Sequence, residues 1–101
     1  MVDQIIAALP TSYITGSFPN RTTFYFTVDE IKKTVVLDGD SCVVLDGKAV
    51  EEADCVCKTS AEMFNKIWNE GYRPSMMDFM GGKIKSNAPM LLPQFLAAFG
   101  K

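Results

Sequence analysis

Residues 53–86, ADCVCKTSAEMFNKIWNEGYRPSMMDFMGGKIKS, change period twice, and those changes set the fold class. The stretch opens on an alternating segment in which Cys55 and Cys57, two residues apart, share one face of a strand. At TSAE, residues 59–62, Thr59 and Glu62 have the spacing of a capping box. Met63, Phe64, Ile67 and Trp68 then recur at helical spacing, and Gly71 supplies the stop. Pro74 suits the first turn of a second helix, PSMMDFM, which Gly81 and Gly82 end. KIKS alternates again, with Ile84 and Ser86 on one face of a strand and both lysines on the other.

Upstream, RTTFYFTV alternates as a strand with Phe24, Phe26 and Val28 on one face and Thr23, Tyr25 and Thr27 on the other. VVLDGD at residue 35 and VVLDGK at residue 43 are near-repeats. A calcium loop counted from Asp38 places Cys42 and Val43 where a ligand and an obligatory glycine belong, so that reading fails. Two short strands of a meander, each ending in an Asp-Gly turn, fit instead. EADCVCKTS makes a fourth strand. At the N-terminus DQIIAAL forms a short helix, with Asp3 as its cap and Pro10 after its end. The last segment begins near Pro89, has Pro93 in its first turn, and carries Leu91, Leu92, Phe95, Leu96 and Phe99 at helical spacing. The order is α-β-β-β-β-α-α-β-α. It predicts a single α+β domain over residues 1–101, a mainly antiparallel five-stranded sheet with helices on one face. The closing strand follows two helices and must cross over to join that sheet.

The bulk properties exclude several functions. A chain of 101 residues with a formal net charge of −2 lacks the basic excess that nucleic-acid binding needs. It contains no histidine, the commonest metal ligand and general base. Its three cysteines, Cys42, Cys55 and Cys57, have no scaffold spacing and no partner pair for a metal. They read as reduced thiols that pack as small apolar groups in a cytoplasmic protein. The apolar run IIAAL is too short for a secretory signal, and no run is long enough for a membrane helix. Asp38, Asp40, Asp46, Glu51 and Glu52 cluster near turns, where carboxylates are ordinarily solvated. No nucleophile elbow or phosphate loop is present, so neither catalysis nor a cofactor is expected.

The last three helices hold five of the six methionines together with Phe64, Trp68, Phe79, Phe95 and Phe99. Any one of these packs a core. As a group they exceed what one helical layer needs, and methionine suits surfaces that accept varied apolar partners.

Residues 53–86 resemble the sterol carrier protein type 2 family. The marks are Ala53-Asp54 leading a strand, Ser60 capping a helix, Phe79-Met80, and Gly82-Lys83-Ile84-Lys85 before an apolar C-terminal helix. The match extends loosely over the rest of the chain. The resemblance implies an apolar tunnel between sheet and helices that carries a sterol, a fatty acyl chain (fatty acid or acyl-CoA class) or a phospholipid, without chemistry. It assigns the tunnel's strand faces to Phe24, Phe26, Cys55, Cys57, Ile84 and Ser86. Its helical walls would be Phe64, Ile67, Trp68, Met76, Met77 and Met80, closed by Leu91, Leu92, Phe95 and Phe99. Transient membrane contact is compatible with such work. The chain departs from the family in its short N-terminal helix, in Ser86-Asn87-Ala88-Pro89, and in ending FGK without a peroxisomal address. The rival reading is an interaction module, in which Tyr25, Val56 and the paired valines on the outer sheet face join a partner or a second copy. Monomer and homodimer both stay open.

Overall fold

The computed structural model describes residues 2–101. Strands β1 (Thr22–Val28), β2 (Ile31–Asp38) and β3 (Ser41–Asp46) form an antiparallel meander joined by two-residue turns. Asp29 in the first turn and Gly39 in the second take positive φ, 53° and 55°. Strand β4 (Cys55–Thr59) then crosses to the far side of β1 and pairs with it in parallel, and β5 (Ile84–Ser86) pairs antiparallel with β4. The five-stranded order is β3-β2-β1-β4-β5. The sheet is therefore mixed. The expected antiparallel pairing holds for three pairs, but β4 is not a continuation of the meander, because residues 47–54 carry the chain back across the sheet.

That crossing has a visible cause. Thr34 Oγ1 donates to Gly47 O at 2.7 Å and accepts from Ala49 N at 3.0 Å. Further on, the N–H and hydroxyl of Thr23 meet Asp54 Oδ2, while Thr23 Oγ1 accepts from Asp54 N. Two threonines that alternation points outward thus tie the connection down over the outer face. Both are buried for that reason.

The inner face follows the alternation. Phe24, Phe26 and Val28 of β1, Val35 and Leu37 of β2, and Cys55 and Cys57 of β4 are buried in one core. Helices α1 (Val2–Ala7) and α2 (Leu9–Ser12) add Val2, Ile6 and Leu9 to it. The single N-terminal helix expected to stop before Pro10 is instead two short ones. Proline is tolerated in a helix's first turn, and Pro10 sits there in α2.

Helix α3 (Ala61–Glu70) starts one residue later than the TSAE spacing suggests. Thr59 stays in β4, where its hydroxyl donates to Lys83 O at 2.9 Å. Ser60 is the cap and accepts from Met63 N at 3.1 Å, while Asp29 Oδ2 accepts from Ala61 N at 3.0 Å. Gly71, in the left-handed region at φ 73°, ends the helix. Helices α4 (Met76–Met80) and α5 (Leu91–Ala97) flank β5 in sequence.

Candidate functional site

Aromatic rings fill the space under the helices on the β1 side. Phe95 of α5 is their hub, with ring centroids 4.8 Å from Phe24, 5.0 Å from Phe26 and 4.8 Å from Phe99. Phe64 stacks on Trp68 at 6.0 Å, and Trp68 meets Phe99 at 5.8 Å. Toward β4 and β5 the packing is incomplete. There a cavity of about 190 Å³ lies between the sheet and helices α3, α4 and α5.

Its floor is Phe26, Cys57, Thr59 and Ile84, and its walls include Phe64, Ile67, Trp68, Leu92 and Phe95. Every strand residue in that floor is inward by alternation, which places the cavity on the predicted face. Phe79, Pro74 and Arg73 close it from the α4 side, with Pro89, Pro93 and Leu96 opposite. Arg73, Pro89 and Pro93 are exposed, so the mouth lies between them.

Other residues assigned to the tunnel lie elsewhere. Phe24 and Phe99 are buried in the aromatic cluster rather than on the cavity wall. Cys55 is buried beneath Ser86 and Ala88, its Sγ 3.6 Å from Ser86 Oγ and from Ala88 O. Ser86 also accepts from Ala88 N, so its hydroxyl shapes the 86–88 bend instead of facing the cavity. Leu91 is half-buried against the core edge.

The methionines depart furthest from expectation. Met76, Met77 and Met80 are 78%, 74% and 78% exposed and form no part of the wall. The phase of α4 explains this. Asp78 Oδ2 accepts from Tyr72 Oη at 2.6 Å and from Ser75 N at 2.8 Å, which makes Asp78 the inward anchor of the helix's first turn. Phe79 follows it inward, and residues 76, 77 and 80 share the opposite side of a 3.6-residue helix. Ser75-x-x-Asp78 was the sequence signal that could have fixed this phase. Pro74 precedes the cap rather than opening the helix. Lys66 Nζ, 4.5 Å from the Tyr72 ring centroid, holds the same turn from α3.

The chemistry of the cavity is apolar. Thr59, its main polar lining group, has its hydroxyl committed to Lys83 O. Among the described residues no buried side-chain nitrogen or oxygen lacks a partner, and the charged lining group, Arg73, is exposed at the mouth. Burial, and then the neighbouring Cys55, pushes the Cys57 thiol up to about 12. Burial likewise raises Cys55, against the hydrogen bond from Ser86. Both are neutral thiols at physiological pH, unlike nucleophilic cysteines. No group of three or more candidate metal ligands occurs among the described residues. The Asp78 carboxyl is held below the usual range by the Tyr72 hydroxyl and the Ser75 N–H.

No family model matches the chain, and no curated relative does. Solved structures do. The stereoselective inverting sec-alkylsulfatase Pisa1 from Pseudomonas sp. superposes with a TM-score of 0.82 at 14% identity over 98% of this chain. The chain spans only 16% of that enzyme's length. The ubiquinone synthesis protein UbiJ-SCP2 gives a TM-score of 0.66 at 15% identity, covering 97% of this chain and 91% of its own. Sterol carrier protein 2 from Yarrowia lipolytica, in its apo form, gives 0.52 at 20% identity over 80% of this chain and 70% of that one. With its mixed sheet, helices on one face and a cavity between them, the chain has the sterol carrier protein 2 fold.

Proposed function

We propose that this protein is a non-enzymatic binder and carrier of an apolar lipid, held in the cavity between β1, β4, β5 and helices α3 to α5. The observation that carries this reading is an almost wholly apolar cavity with an exposed mouth and no unsatisfied polar group to direct chemistry. The names of the similar structures speak of sterol, of ubiquinone synthesis and of an alkylsulfatase, and an apolar skeleton is common to those chemistries.

Size decides how the cavity is used. At about 190 Å³ it exceeds the roughly 150 Å³ that accepts benzene but falls short of the ~300 Å³ at which ligand pockets usually begin. A sterol or long acyl chain therefore requires α4 and the first turn of α5 to move outward. Those walls are short or partly exposed. Helix α4 is five residues long and ends on two glycines, and the start of α5 carries exposed Pro93 and half-buried Leu91 and Leu92. The end of α5 is fixed, since Ile14 N donates to Ala98 O at 2.7 Å. Arg73 at the mouth suits the carboxylate of a fatty acid whose tail lies inside.

Fluorescent fatty acid should saturate one site, and organic extraction of the purified protein should release co-purified lipid. Absence of both, with acyl chains, sterols and phospholipids all tried, would sink the reading. The outer-face interaction module has less to offer, because residues 47–54 cover part of that face and leave Val43 and Leu45 as its exposed large apolar residues.

A further inference from the structure

A second concavity lies outside the apolar cavity and has the opposite chemistry. It is a groove of about 510 Å³ where the end of β4, the first turns of α3 and the start of β5 meet the β1–β2 turn. Lys58, Lys66, Lys83 and Lys85 line it, with Asp29 and Glu62 as its carboxylates. Four of the chain's ten cations thus gather in one groove of a protein whose net charge is −2. Thr59 is common to the two linings, whereas the mouth residues Arg73, Pro89 and Pro93 belong to the cavity alone.

The backbone sets the lysines side by side. Lys58 on β4 and Lys85 on β5 are direct cross-strand partners, so their side chains leave the same face of the sheet as neighbours. Like charges so placed repel and cost stability unless an anion lies between them. The protein supplies none. Among the described residues the ion pair is Lys33 with Asp46, on β2 and β3. Asp29 Oδ2 is taken by Ala61 N, and Glu62, one turn before Lys66 on α3, does not pair with it. Lys66 lies over the Tyr72 ring instead. Lys83 acts on Asp78, but that carboxylate is buried and already bonded to Tyr72 and Ser75. The groove therefore keeps an excess of two positive charges over its own carboxylates. A neutral donor stands beside them. Ser60 Oγ accepts from Met63 N, which leaves its hydroxyl proton for a ligand. The amides of Ala61 and Phe64 are bonded to Asp29 and to Ser60 O, so the lysines, not the helix end, supply the field.

We infer that this groove binds a compact phosphate-class anion of two or more negative charges, taken from water independently of the apolar ligand. Lysine ammonium groups are compact point charges on flexible stems, which lets several converge on one phosphoryl group. A single carboxylate would leave half of the excess charge unmatched. A nucleic-acid strand is the poorer fit, because no aromatic side chain lines the groove for bases to stack on.

Calorimetric titration with inorganic pyrophosphate, in metal-free buffer at constant ionic strength, tests the assignment. The parent should saturate at one site, and raised salt should weaken it. Glycerol 3-phosphate, run beside it, separates a phosphate monoester from a diphosphate as the source, and saturable binding of either supports the assignment. Lys58→Gln with Lys85→Gln should weaken binding about tenfold or more, and Lys83→Gln alone by about threefold or more. Lys32→Gln, at an exposed position outside the groove, should leave it unchanged. Removing a like-charge pair should leave the double variant's melting temperature without anion unchanged or raised, so its lost affinity is not lost folding. The inference is overturned if neither anion binds, or if Lys32→Gln weakens binding as much as the groove variants do. It is also overturned if fatty acid competes with pyrophosphate and Arg73→Gln abolishes binding, which would put the anion at the cavity mouth.

Discussion

Phe79 and Met77 stand two residues apart on one short helix and have opposite fates, one on the cavity wall and one 74% exposed. Phe79→Asp places a charge against the apolar ligand and should weaken fatty-acid binding by about tenfold or more. Met77→Asp should leave that affinity unchanged, as a paired titration will show. Equal losses in both variants would mean that α4 turns over when ligand binds. Phe95 is no substitute for Phe79 in this test, because it is buried at the centre of the ring cluster and its loss costs about 3–5 kcal/mol of fold stability. The cysteines offer a second residue-scale reading. Cys57 lines the cavity and Cys55 does not. In a Cys42→Ser background, a small apolar thiol reagent should modify Cys57 slowly, since its thiol is pushed up to about 12, and saturating fatty acid should slow it further. Cys55 labelling should change little. Mass spectrometry locates the adducts, and Cys57 labelling indifferent to lipid would put the ligand elsewhere.

At the scale of elements, α4 depends on a carboxylate. The Tyr72 hydroxyl and the Ser75 N–H both favour the ionised form of Asp78, and the same bond raises the Tyr72 phenol above its ordinary value. A carboxyl depressed by folding contributes stability that is present above its unfolded pKa, about 3.9, and is lost as pH falls through the lower folded value. Acidification below about pH 4 should therefore loosen residues 72–80 before the sheet. Hydrogen exchange can follow this, and Asp78→Asn should exchange quickly there at all pH values. Identical pH profiles for the two proteins would remove Asp78 as the anchor. The strands were legible in the sequence because alternation in β1, β4 and β5 sorts side chains without help from tertiary contacts. The phase of α4 was harder to read. Five residues hold little more than one helical turn, so periodicity cannot choose a face, and a buried aspartate chose it instead. The parallel placement of β4 was equally hidden, since it depends on Thr23 and Thr34 bonding a connection distant in sequence.

Across the whole molecule, the sheet divides labour between two regions of one inner face. Toward β1 and the N-terminal helices the rings and aliphatic side chains pack closely, and toward β4 and β5 the packing leaves room. Among the described residues the outer face lines no part of the cavity, and Val43 and Leu45 are its exposed large apolar side chains. Val43→Asp, at a 45% exposed position, should change fold stability by no more than about 0.5 kcal/mol and leave ligand affinity alone. Thermal unfolding and titration check both, and loss of a dimer in that variant would revive the outer face as an interface. Val36 is a poorer choice, being buried among outer-face neighbours.

On the function proposed above, the cavity accepts an apolar chain by opening beyond its resting volume. Binding affinity across saturated fatty acids of increasing length tests it directly. Burying about six methylenes yields roughly 5 kcal/mol gross, nearly cancelled by an association cost of at least ~4 kcal/mol. About fourteen methylenes yield roughly 11 kcal/mol gross and bring the net to micromolar or weaker. Affinity should accordingly rise by about fourfold per added methylene and keep rising well past the length that fills about 190 Å³. A plateau at short chains, or affinity independent of length, would contradict the account.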